Sequence, residues 1–136
     1  MKSRHDPRHK RRRRVVQQLF AQSFSDRQEE EILDTTTEIV KKQDGYDLMI
    51  ADAAPQWPID KLNKIDLAIL RLAIYELIQT ETPPKVVVDE AVELAKEFGS
   101  ESSPSFINGV LGNIMNKVVQ TKPDEKNDSE TSENTK

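Results

Sequence analysis

Residues 10–14 read KRRRR, and Arg8 stands just before them, so six cations fall within seven positions. A guanidinium presents paired N–H donors in a planar fork that matches two phosphate oxygens. That is binding chemistry, and it needs an anionic partner. The 136 residues carry a formal net charge of −4, but residues 1–14 hold eight Lys/Arg against one acid, and the remainder holds 12 against 23. A basic arm on an acidic body points to an anion bound at one end of the molecule. The basic run leads into Val16, Leu19, Phe20 and Phe24, spaced i, i+3, i+4, i+8 as on an amphipathic helix. Residues 10–14 are therefore read as the first turn of that helix, where cations oppose the helix dipole unless an anion compensates them. A solvated basic tail is the competing reading; nucleic acid is the stronger one.

No constellation for acid–base or nucleophilic catalysis is recognisable. There is no cysteine, and both histidines, His5 and His9, lie in the basic segment. This excludes thiolate sites and gives no sign of a histidine metal site or triad. No Gly-rich phosphate loop is present. Asp66, Arg71 and Glu76 interrupt an apolar stretch at intervals of five, so they point three ways around a helix and are read as structurally paired, not catalytic. No enzyme activity, cofactor or metal is expected. The basic start is not followed by a long apolar run, so neither a signal peptide nor a membrane segment is read, and the cytoplasm is the default location.

The elements that must hold the arm are helical. Lys64–Gln79 (KIDLAILRLAIYELIQ) is apolar on every side, which marks a central, enclosed helix with Asn63 as N-cap and Asp66 in its first turn. Residues 29–43 read as a helix with Leu33, Thr36, Thr37 and Val40 on one face. Tyr46, Met49, Ile50 and Ala53 continue at helical spacing, either as a separate helix after Gly45 or as one continuous helix. The continuous reading is preferred, since an interior glycine costs only about 1 kcal/mol. Pro55 and Pro58 enclose Trp57 in a turn expected to press the indole onto the core. Thr82 is expected to cap the next helix, whose inner face is Val87, Ala91, Leu94, Ala95 and Phe98, with Gly99 as its C′ residue. Ser102 or Ser103 caps a last helix with the stripe Ile107, Val110, Leu111, Ile114, Val118. Gly109 and Gly112 on it are expected to admit a neighbouring backbone.

Three stretches read together, KIDLAILRLAIYEL at 64–77, DEAVELAKEFG at 89–99 and FINGVL at 106–111, resemble the NusB family of transcription antitermination factors. The basic run with VVQQLF at 15–20 is similar to that family's first helix. The resemblance covers most of residues 8–120, and residues 24–57 look shorter than usual for the family. It implies an all-α fold: a compact helical bundle of two packed sub-bundles, with about five to seven helices. It also implies binding of boxA-type single-stranded RNA from ribosomal transcripts together with the ribosomal protein NusE, and indirect association with other antitermination factors and RNA polymerase. Carried over by position, the RNA-binding candidates are Arg8, Lys10, Arg11, Arg12, Arg13 and Arg14, with Ser102 and Phe106. The NusE-facing candidates are Phe20 and Asp66. Core packing competes with contact for both phenylalanines, and is the stronger reading for Phe20.

The expected division is a flexible basic arm (1–9), a helical RNA- and protein-binding domain (10–121) and a disordered polar tail (122–136) without an apolar anchor. Two alternatives stand beside antitermination: a helical interaction scaffold in ribosomal RNA maturation, and the RNA-binding module of a ribosomal RNA methyltransferase lacking its catalytic domain.

Overall fold

A computed structural model of the chain describes residues 6–24 and 31–121, with side chains through residue 117. The expected tail and the first five residues lie outside the described part. Five helices follow in order: α1 Pro7–Gln22, α2 Asp34–Ala53, α3 Lys64–Gln79, α4 Pro84–Phe98 and α5 Ser103–Thr121, with a short 3-10 turn at Ile59–Lys61 before α3. Among the described residues there is no strand, in keeping with the all-α expectation.

α3 packs against each of the other four helices. Leu67 through Leu70 and Leu72 through Ile74 are all buried, with Ile69, Leu70 and Ile74 fully so. The enclosure relaxes in the last turn, where Ile78 is 46% exposed. Asn63 caps α3 by accepting a hydrogen bond from the Ile65 amide at 2.9 Å. The three charged residues inside this helix, Asp66, Arg71 and Glu76, each have a structural partner. Arg71 donates from Nε and Nη2 to the two carboxylate oxygens of Asp47 on α2, at 2.9 and 2.7 Å. Glu76 accepts from Arg12 on α1, and Asp66 is hydrogen-bonded by the Ser103 side chain.

α2 runs continuously through Gly45. Its buried face is Thr36, Ile39, Tyr46, Ile50 and Ala53, so Ile39 occupies the inward position and Thr37 faces solvent. The entry to α2 is fixed from α1 by Gln18, which is fully buried. Its Oε1 accepts from the Leu33 amide at 3.1 Å and from the Thr36 hydroxyl at 2.8 Å, and its Nε2 donates to the Glu31 carbonyl at 2.8 Å. Leu33, the N-cap position, has no side-chain cap of its own; Gln18 instead satisfies the Leu33 amide from α1, the bond an N3 Glu or Gln makes in a capping box. At the other end of α2, Asn113 of α5 donates to the Ala53 carbonyl at 3.0 Å, and Lys117 pairs with Asp52.

Local expectations are corrected in four places. α1 begins at Pro7, inside the stretch read as a flexible arm, because Asp6 caps it and Pro suits its first turn. Thr82 does not cap α4; its amide is bound by the Thr80 hydroxyl, and Pro83 stands at the N-cap. Gly99 ends α4 in an extended conformation (φ −93°), not a left-handed one. Glycine is required there for space: an added Cβ would lie 2.5 Å from the Ser103 hydroxyl oxygen and 2.9 Å from the Ala95 carbonyl. Gly109 and Gly112, in contrast, admit no close neighbour; nothing lies within 4 Å of a Cβ at either.

Candidate nucleic-acid interface

The basic run forms two turns of α1, and helical geometry divides it. Lys10, Arg11 and Arg14 are exposed, with Lys10 and Arg14 one turn apart on one side. Arg8 is also exposed and leans on the capping Asp6 at 3.5 Å. Arg12 and His9 fall on the same side as Val16 and Leu19, and that side faces the bundle. Arg12, expected among the RNA-facing cations, is turned inward with 12% of its side chain exposed. Its Nε–H is shared between the two oxygens of Glu76, at 2.8 and 3.1 Å, and its Nη1 lies 3.7 Å from Glu90.

His9 is buried, with Nδ1 2.9 Å from Oε1 of Glu90. Glu97 approaches the other ring nitrogen at 3.8 Å and also takes the Arg13 guanidinium at 2.7 Å. Arg13, half-buried, lies with its guanidinium carbon 5.8 Å from the centre of the Phe98 ring. The result is a cluster of three basic groups from α1 and three carboxylates from α3 and α4. Burial pushes the Glu76 carboxyl above its ordinary value; the Arg12 hydrogen bond and charge oppose this, and the nearby Glu90 adds to it.

From Phe98 the chain turns through residues 99–103 into α5, and this corner carries the other RNA candidates. Ser102 is exposed, within 3.3 Å of the Ser100 hydroxyl. Phe106 is half-buried against the core, and the edge of Trp57 meets it at a centroid distance of 6.2 Å. Trp57 itself is 51% exposed, so the proline-flanked turn presents the indole to solvent instead of pressing it inward.

The two NusE-facing candidates differ. Phe20 is half-buried on the core and stacked edge-on against Phe24, which is 62% exposed and lies under the Lys64 ammonium. Asp66, in the first turn of α3 as expected, is only 7% exposed, with Oδ1 lacking a hydrogen-bond partner. Burial raises its carboxyl above the usual aspartate range, opposed by the Ser103 hydrogen bond. Sequence reasoning read Glu76 as structurally paired without finding its partner Arg12, and missed the roles of His9, Glu90 and Trp57. For His9 a signal existed: extending the stripe of Val16 and Leu19 back by helical steps lands on Arg12 and His9.

Among the described residues no group of His, Cys, Asp and Glu is placed to hold a metal ion, and no helix is long and apolar enough to cross a membrane.

A family model described as the NusB family matches residues 2–116. The chain belongs to the NusB family. Among curated NusB relatives, the transcription antitermination protein of Chloroflexus aggregans is 49% identical over 76 residues, 54% of this chain and 51% of that protein. Its counterpart from Dehalococcoides mccartyi is 47% identical over 87 residues, 63% of this chain and 61% of that protein. The chain thus aligns with about half to three-fifths of the length of these NusB relatives. Over a longer span, a solved NusB structure from T. maritima superposes with a TM-score of 0.74 at 32% identity, covering 86% of this chain and 94% of that one.

Proposed function

We propose that the chain is a transcription antitermination factor that binds boxA-type RNA of ribosomal transcripts together with the ribosomal protein NusE. The observation that carries this reading is the sorting of the basic run: Lys10, Arg11 and Arg14 are exposed on α1, while their neighbours turn inward to carboxylates. Cations left at the surface of a helix give phosphate affinity without sequence preference. Single-stranded RNA also needs faces on which bases stack. Trp57 and Phe106 offer them at the α5 corner, and the Arg13–Phe98 contact links that corner to α1. Phe20 with the exposed Phe24, beside Lys64, is the apolar surface proposed for NusE. Asp66 is too enclosed to offer an open carboxylate, so its proposed part in that contact is to hold the start of α3 against the Ser103 corner.

The test is a titration of the chain with short single-stranded boxA-type RNA at several salt concentrations, repeated with Arg11→Gln. Each lost phosphate contact should flatten the plot of log affinity against log salt by roughly 0.7. NusE binding without RNA should not change. If RNA affinity and salt slope both stay the same while NusE binding falls, the basic helix docks protein, and the scaffold reading replaces this one.

A further inference from the structure

Between Pro7 and Arg14, His9 is the only buried residue; the apolar anchors of α1 begin at Val15. The first two turns therefore have no hydrophobic hold of their own. They also carry six cations, which repel one another and oppose the helix dipole. What fastens them to the bundle is the cluster of carboxylates, with Glu76 on α3 taking Arg12, and Glu90 on α4 taking His9 and approaching Arg12.

Building on the RNA-binding reading above, we propose that Glu76 and Glu90 are positioning residues for RNA: they pin the start of α1 so that Lys10, Arg11 and Arg14 meet the RNA backbone as one fixed stripe. Simple electrostatics gives the opposite sign. A carboxylate near a cationic site repels phosphate, so its removal should tighten RNA binding. A pinning role means that its removal weakens binding.

The deciding experiment titrates the full chain with short single-stranded boxA-type RNA and compares Glu90→Gln with Glu93→Gln. The latter removes the same charge from the same helix, at a residue that pairs with Lys96 of α4. Glu90→Gln should weaken binding about fivefold, as a docked population reduced to a fifth would. Its salt slope should stay unchanged, because the bound state keeps its phosphate contacts. Amide hydrogen exchange should quicken over residues 9–14 and not in α3. Glu93→Gln should bind RNA equally or slightly more tightly. The proposal is overturned if Glu90→Gln binds as well as the unsubstituted chain, or loses affinity with exchange unaltered. Tighter binding with a steeper slope would overturn it too, and would show that the acids compete with RNA for Arg12. Should Glu90→Gln not fold, Glu76→Gln carries the same test through Arg12. Weaker RNA binding with faster exchange supports the pinning role, and equal or tighter binding ends it. Failure of the unsubstituted chain to bind RNA would overturn the underlying reading as well, whereas an unweakened Glu90→Gln overturns only the positioning role.

Discussion

In its first two turns α1 meets the bundle through His9, Arg12 and Arg13; beyond them it meets the bundle through Val15, Val16, Gln18 and Leu19. The later contact is mostly apolar and non-directional, with one amide side chain closing the polar gaps at the start of α2. The earlier contact is directional, and it works only while each carboxylate keeps its cation. Removing one partner of a buried ion pair leaves the other desolvated and unpaired, which costs more than the intact pair contributes. One half of the helix is therefore held by area, and the other by matched charges, which orient it more sharply and fail more readily.

The largest expected effect lies beneath both halves. Leu70, fully buried in α3, should cost roughly 2–5 kcal/mol on replacement by alanine, measured by urea unfolding. A cost under about 1 kcal/mol, typical of an exposed site, would show that the helix both halves lean on is not enclosed. Next, Arg12→Gln should destabilise by about 2–3 kcal/mol, less than a fully enclosed pair because both partners keep some access to water. A double-mutant cycle with Glu76→Gln should return a coupling above about 1 kcal/mol. Additive losses would remove the distinction between the two halves. In the apolar half, Gln18→Leu should cost about 1–3 kcal/mol by stranding the Leu33 amide and the Thr36 hydroxyl. An unaltered unfolding midpoint would mean that the entry to α2 is held by packing alone.

The smallest effect is a sign. Burial raises the Asp66 carboxyl above its ordinary 3.8, so the folded chain holds that proton at pH values where the unfolded chain has lost it. The associated stability is full below the unfolded value and is lost as pH rises through the folded one. Asp66→Asn stays neutral throughout and should raise the melting temperature slightly at neutral pH, with the gain vanishing below about pH 3.8. A lower melting temperature at neutral pH would show that the charged form serves the fold. The same direction applies to Glu76, so on acidification these two carboxyls should take up their protons before exposed ones do.

Local periodicity made α3, the stripes of α4 and α5 and the continuity of α2 legible, because burial on one helix face leaves a repeat in the chain itself. It did not reveal partners 64 or 81 residues away, such as Glu76 for Arg12 or Glu90 for His9. A run of like charges looks uniform in sequence; only the helical rotation separates Arg11, facing water, from Arg12, facing the core. The orientation of Trp57 was misread for a related reason. Prolines on either side fix the backbone of a turn without fixing which way the turn faces. Thr37 was placed inward because three successive threonines blur the repeat, and Ile39 was the better guide.

Three of the four glycines, Gly45, Gly109 and Gly112, sit inside helices with open space where a side chain would begin. Each gives the unfolded chain backbone freedom that the folded chain does not use. Alanine at any one of them should shift the equilibrium toward the native state by about 0.4–1 kcal/mol, through the unfolded ensemble and not through any new contact. A background carrying such replacements would keep the Glu90→Gln variant folded long enough for its RNA affinity to be measured.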